Sequence, residues 1–224
     1  MKIGQKIEVK KDFEHSFFQR TGENSIHLEK RFAEPGVGED HLVTGEGWLL
    51  WNFLEVHCEL RAYQGAKPIE IQAGMLLYAP SYSLVPYKKL TEGTFRVEAN
   101  GVYEPEANPL GDEAHCLYSG VVAPLDKSPD KALRFARSIQ RTISLQPEET
   151  ALARRCREAL ARGYRDQEPI NDIARTLKSS NAVVSRQFKK SYGLTPSAYR
   201  QKLKVADAIR LMFVCGKNVE EASQ

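Results

Sequence analysis

The feature that most constrains this chain is a single change in hydrophobic periodicity, near residue 128. Before it, apolar residues alternate with period two in short runs separated by glycine. After it, they recur at three- and four-residue spacing. Leu50, Asn52, Leu54, Val56, Cys58, Leu60 and Ala62 alternate with Trp51, Phe53, Glu55, His57, Glu59, Arg61 and Tyr63. Alternation over that length reads as one strand or a bent pair of strands. Shorter candidates lie at 6–10, 25–32, 68–71, 75–79, 94–99 and 115–122. Gly36/Gly38, Gly45/Gly47, Gly65, Gly74, Gly93 and Asn100-Gly101 punctuate them. Many short strands with such punctuation argue for a sandwich, jelly roll or barrel.

From Ser128 the texture is helical. Ser128 followed by Pro129 is a start signal, and Asp130 suits the positive end of a helix. Leu133, Ala136, Ile139 and Ile143 then form a helical seam over 129–145. Pro147 closes that segment and opens the next, with Glu148 and Glu149 in its first turn and Leu152, Cys156, Ala159 and Leu160 as its stripe, up to Gly163. The expected organisation is a β-rich domain at 1–127, a linker or interface helix at 128–147 and an all-α domain at 148–224. The fold class is α+β multidomain.

The net charge of +3 over 224 residues hides the same division. Residues 1–130 carry a net −7 and residues 131–224 a net +10. An acidic part joined to a basic part points to a polyanion-binding module with a second domain attached, or to two solvated surfaces of different composition. No run of about 18 apolar residues suggests a membrane span, and the start, MKIGQKIEVKK, has no apolar signal region. Cys58, Cys116, Cys156 and Cys215 are widely spaced. That argues against a zinc ribbon or disulfide scaffold and for a reducing cytoplasm. Neither a nucleophile elbow, a phosphate loop nor a dinucleotide fingerprint occurs, so no enzymatic activity and no cofactor are expected.

Within the basic part, Ile170, Ile173, Ala174 and Leu177 share one helical face. Lys178-Ser179-Ser180 is a polar break, and Ser180 is a good N-cap. A second helix over 181–192 buries Val184 and Phe188 and ends at Gly193. Two short helices joined by a tight turn fit a helix-turn-helix, or an ordinary helical hairpin with a basic face. Ala182, Ser185, Arg186 and Lys189 lie away from the buried pair. Arginine reads guanine bidentately in the major groove, and serine bonds several bases. Ser180, Lys189 and Lys190 are placed for phosphate contacts, which position without specifying.

The run IARTLKSSNAVVSRQFKKSYGLTPSAYRQKLKVADAIRLM resembles the first half of an AraC/XylS-type DNA-binding domain. The Phe-Lys-Lys, Gly-Leu-Thr-Pro, Tyr and Ala-x-x-Leu elements follow in order, and the likeness covers about 149–224. It implies that Ala182, Ser185 and Arg186 face bases of double-stranded DNA. It also implies a long linker helix over 196–215, with Tyr199, Leu203, Ala206 and Ile209 as its core seam, extended by Met212 and Phe213. Two departures stand out. Lys178 occupies a turn position where the family usually has glycine, which tolerates left-handed backbone at low cost. The last eight residues, KNVEEASQ, look like the start of a second helix-turn-helix, so a chain cut short with a frayed tail is expected.

A β-rich domain ahead of such a half resembles the cupin-like (jelly-roll) sensor domain of many AraC-type regulators, which senses a small molecule, dimerises, or both. The resemblance makes 129–145 a candidate homodimer helix through Leu133, Ala136, Ile139 and Ile143. The same seam also suits packing on its own β-domain. Trp51, Phe53, Tyr63 and Tyr78, with Trp48 and Tyr82 nearby, are candidates for an effector pocket or for core. Glu55, His57 and Glu59 share one face at a spacing that a metal could use. A solvated outer strand face is the better reading of them, and no metal site is assigned. The expected function is a cytoplasmic, sequence-specific transcription regulator with a sensing or dimerising domain. The alternatives are a non-DNA-binding protein that pairs with full-length relatives, and a cupin-type metalloenzyme.

Overall fold

The computed structural model describes residues 2–11, 14–32, 38–56, 58–61, 66–89, 95–104, 108–145, 148–166 and 168–223. In chain order the strands are β1 (Lys6–Lys11), β2 (Glu14–Arg20), β3 (Ser25–Phe32), β4 (Gly38–Val43), β5 (Trp48–Glu55), β6 (Cys58–Leu60), β7 (Ile69–Ile71), β8 (Met75–Ala79), β9 (Leu84–Lys89), β10 (Phe95–Val102), β11 (His115–Tyr118) and β12 (Thr142–Ser144). Their pairing is nested: β3 with β10, β4 with β9, β5 with β8 and β6 with β7, all antiparallel. This long hairpin folds over itself into two sheets, ordered β1-β2-β3-β10-β5-β8-β11-β12 and β4-β9-β6-β7. That connectivity is a jelly roll.

Alternation decides which side chains fill it. Phe53, Cys58, Leu60, Leu77, Val85 and Val97 pack between the sheets. Trp48, Leu50, Leu76 and Tyr78 occupy the outer face of the larger sheet. Strand β8 is buried on both faces, which is why Met75–Ala79 is a continuous apolar run rather than an alternating one. The alternating run from Leu50 is a bent pair: β5 and β6 belong to different sheets.

The structure corrects several expectations. Asn100-Gly101 is no turn; it lies inside β10, paired with β3 and β5. A Cβ on Gly101 would stand 2.7 Å from Leu49 Cδ2, so glycine here makes room for a neighbour. Strands β2, β4, β9 and β12 were not foreseen. The helix expected over 129–145 ends early. Helix α1 spans Pro129–Ser138, and Ile143 sits in β12 opposite Cys116. The seam is covered by the chain's own sheet: Ala132 and Ala136 are buried with Trp48, Tyr78 and Leu125, and Leu133 and Ile139 pack against them. It is therefore not free to form a dimer contact.

The helical part comprises α2 (Ala151–Gly163), α3 (Ile170–Thr176), α4 (Asn181–Tyr192), α5 (Pro196–Phe213) and α6 (Val219–Ser223). Thr150, Ser180 and Thr195 cap α2, α4 and α5 by accepting the amides of Ala153, Val183 and Ala198. Each such cap contributes on the order of 1 kcal/mol. Gly193 closes α4 at φ +79°, a left-handed stop that glycine adopts freely. Cys156, Leu160, Ala174, Val184, Phe188, Tyr192, Tyr199 and Leu203 form the helical core. The tail is not frayed at 218–223. Asn218 and Glu221 cap each other reciprocally, the Asn218 amide donating to Glu221 Oε2 (2.9 Å) and the Glu221 amide to Asn218 Oδ1 (2.8 Å).

The two parts are docked. Phe18 of β2 stacks on Phe213 of α5, with centroids 4.2 Å apart and ring planes 16° apart. Tyr199 Oη donates to the Tyr82 carbonyl (3.1 Å) and Lys202 Nζ to Asp40 Oδ1 (2.8 Å). His41 Nε2 lies 2.9 Å from the Tyr192 carbonyl oxygen. Glu46 approaches Arg165 (3.5 Å) and Arg210 (3.8 Å). Gly45 lets α5 come close: a Cβ there would be 3.3 Å from Ala206 Cβ. The expected α5 seam is thus divided. Tyr199 and Leu203 face the helical core, whereas Ile209, Met212 and Phe213 pack towards Ile26 and Phe18 of the β-rich part.

Candidate functional site

Helices α3 and α4 are joined by residues 177–180. Leu177 is buried, and the Lys178 and Ser179 amides donate to the Arg175 (2.9 Å) and Ala174 (3.0 Å) carbonyls. Lys178 adopts φ +55°, a left-handed conformation that costs a side-chain-bearing residue about 1–2 kcal/mol. It occupies the turn position where the sequence departs from glycine.

On α4, Val184, Phe188, Ser191 and Tyr192 are buried. The opposite face carries Ala182, Arg186, Lys189 and Lys190, all exposed, with Ser185 half-buried. Ser185 Oγ donates to Asn181 Oδ1 (3.0 Å), and the exposed Ser180 is occupied as the N-cap. Among the described residues the side chains of Arg186, Lys189 and Lys190 make no ion pair or hydrogen bond. Their one-face placement follows from helical spacing. This face is held from behind by Glu149, which accepts from Arg154 (2.8 Å), from Arg157 (3.4 Å) and from the Tyr192 hydroxyl. Burial, and then the Glu149 carboxylate, push the Tyr192 phenol well above its ordinary value.

A second feature is a cavity of about 470 Å³ between the two sheets. Trp51, Phe53, Leu77 and Val97 line its interior, and Lys202, Val205, Ala206 and Ile209 of α5 line its edge. Trp51 Nε1 is buried there with no hydrogen-bond partner among the described residues. Of the expected pocket residues, Trp51 and Phe53 line this cavity. Tyr78 does not; it lies on the outer face of the sheet, where its hydroxyl reaches the Gly111 carbonyl (3.3 Å) and burial pushes its pKa up to about 12. Tyr63 and His57 lie outside the described residues. Glu55 and Glu59, weighed with His57 as ligands, belong to strands of different sheets.

Sequence reasoning missed a third feature. His27 and Glu29 on β3 meet Glu98 on β10, with one potential ligand atom from each within 4.8 Å of the others. Glu98 is some 70 positions from the other two, and only the register of β3 against β10 brings them together.

No protein-family model matches the chain, and no curated protein sequence does. Solved structures similar to it include a cupin superfamily protein from Desulfitobacterium hafniense DCB-2, at 13% identity over 44% of this chain and 84% of that one, with TM-score 0.34. KdgF from Halomonas sp. is 9% identical over 47% of this chain and 91% of that one, TM-score 0.34. The Schizosaccharomyces pombe Cnp3 cupin domain is 10% identical over 43% and 65%, TM-score 0.35. Likenesses this distant carry no argument about function. The jelly-roll assignment rests on the strand pairing itself. No helix among the described residues is long and apolar enough to cross a membrane.

Proposed function

We propose that this chain is a cytoplasmic, sequence-specific DNA-binding transcription regulator of the AraC type, without a catalytic role. In this reading α3 and α4 are a helix-turn-helix and α4 enters the major groove. The observation that supports it is the face of α4. Arg186, Lys189 and Lys190 are exposed and unpaired among the described residues, while the rest of the helix is anchored in a core. Arg186 then reads a base, Ser185 and Ala182 complete the base-facing surface, and Ser180, Lys189 and Lys190 meet phosphates. The cavity between the sheets is the place for a small-molecule effector. Because α5 lines its edge, occupancy bears directly on how the helical part is held. Homodimerisation in this scheme uses a face other than the α1 seam.

Selection from a random duplex pool with the full chain, followed by fluorescence anisotropy on the selected site, tests the reading. Arg186→Ala is expected to lose about 1–3 kcal/mol and to relax preference at one position. Lys189→Ala is expected to weaken all sequences alike and to lower the salt slope by about one. Failure to enrich any sequence, with no salt-dependent binding to duplex DNA, overturns it.

A further inference from the structure

The outer face of the larger sheet, away from the cavity, carries a buried polar cluster beneath residues 123–128. Strands β3 and β10 place His27 opposite Asn100 and Glu29 opposite Glu98. His27 is 2% exposed and Glu98 3%. The overlying segment is fastened to them: Asn52 Nδ2 donates to the Ala123 carbonyl (2.9 Å), the Leu125 amide to Glu98 Oε2 (2.9 Å) and Asn100 Nδ2 to the Asp126 carbonyl (2.7 Å).

These bonds fix where the protons are. Asn100 commits its amide nitrogen to Asp126, so its Oδ1 faces His27 Nδ1, 2.8 Å away. An amide oxygen only accepts, so Nδ1 carries the hydrogen. In its neutral form the imidazole then offers a lone pair at Nε2. Nε2 makes no hydrogen bond among the described residues and points at carboxylates, with Glu29 Oε1 at 3.9 Å. Three electron-pair donors therefore converge in a buried place, two of them on carboxylates directly opposed across the strands, an arrangement that repels. Each carboxylate also has one long ion pair. Arg96 is 3.9 Å from Glu98 and Lys127 is 3.9 Å from Glu29, and Lys127 is hydrogen-bonded to Gln19 (3.0 Å).

We propose that His27 Nε2, Glu29 and Glu98 bind a divalent transition-metal ion of the zinc type, with water completing the coordination. One imidazole and two carboxylates suit zinc. Asn100 supplies the outer-shell bond that fixes the tautomer and aims the ring. The ion bridges the opposed carboxylates and ties β3 and β10 to the segment leading into α1, because Glu98 also holds the Leu125 amide.

Calorimetric titration of the chelator-treated full chain with zinc chloride tests this, with far-UV circular dichroism recorded throughout. One equivalent of zinc is expected to bind and to slow hydrogen exchange at the Leu125 amide. Glu29→Gln, at a half-buried position, and Glu98→Gln are each expected to weaken binding at least tenfold at unchanged secondary structure, and Asn100→Ala by about 10–100-fold. Absence of stoichiometric binding by the wild-type chain overturns the proposal whatever the variants do. So does binding of equal affinity in both glutamine variants, which puts the ion elsewhere, and so does binding without protection at Leu125.

Discussion

The stacked pair Phe18–Phe213 offers a direct measure of how firmly the helical part is fastened to the jelly roll. Phe213 is 6% exposed, and Phe18 packs with it against Ile26, Val214 and Tyr103. Truncating a buried phenylalanine to alanine costs about 3–5 kcal/mol; for the half-buried Phe18 about 2–3 kcal/mol is expected on the same basis. Against a typical total of about 5–15 kcal/mol, either variant is strongly destabilised yet measurable. The informative quantity is the coupling in a double-mutant cycle. An aromatic pair stacked at 4.2 Å is worth about 0.5–1.5 kcal/mol beyond area burial, and the cycle isolates that share. Urea unfolding of the wild type, Phe18→Ala, Phe213→Ala and the double variant, followed by fluorescence and by circular dichroism, gives all four free energies. The expected result is a coupling in that range and one transition for both probes. A coupling within about 0.3 kcal/mol of zero, with Phe213→Ala shifting only a separate helical transition, refutes the docking of α5 on β2.

Further outcomes follow from single residues. Lys178→Gly should leave stability equal or raise it by up to about 1 kcal/mol, since relief of a left-handed lysine outweighs the added chain entropy of glycine; a clear loss in chemical denaturation contradicts the φ of +55°. Gly47→Ala should destabilise by at least about 2 kcal/mol, because φ is +96° and the new Cβ would lie 2.0 Å from the Val102 carbonyl oxygen; an unchanged melting temperature rules that out. Burial raises the pKa of Asp207, but bonds from Arg165 (2.8 Å, through two nitrogens) and Arg210 (2.9 Å) outweigh it and hold the carboxyl below its ordinary value. A depressed native pKa gives stability that is complete above the unfolded value and lost as pH falls through the native one. Asp207→Asn should accordingly unfold with a shallower acid dependence below about pH 5, and an identical acid limb in both proteins removes Asp207 from that role.

The sequence was readable where local signals act alone. Helix α4 runs over the expected residues because Ser180 and Gly193 mark its ends and Val184 and Phe188 fix its buried face. Trp51 and Phe53 could be placed on one side of a strand by alternation. Tyr78 could not, because β8 is apolar on both sides and offers no alternation to read. Ile143 misled because Thr142-Ile143-Ser144 satisfies a helical spacing from Ile139 and a period-two spacing equally; pairing with Cys116 decides for the strand. Asn100-Gly101 carries the composition of a turn, and the space that Leu49 takes up is visible only in three dimensions. Gly45 and Gly47 were read as punctuation. Gly45 is where α5 touches the β-rich part, a contact between residues more than 150 positions apart. The His27, Glu29 and Glu98 cluster has no spacing motif at all.

The nested pairing of the strands also sets an order of assembly. The innermost pair, β6 with β7, closes a connection of only eight residues, whereas β3 and β10 enclose more than sixty. Loop closure favours starting inside and zipping outward. The sheet is not complete until β12 adds to β11 at residue 144. On a ribosome, β3 therefore waits for its partner β10 until residue 102 has emerged, and β11 waits for β12 until residue 144 has followed α1 out. The helices that follow rely on contacts close in sequence and need no such wait. The portion of this protein made first is thus the slower to finish, and it is the portion that depends most on protection while it is being synthesised.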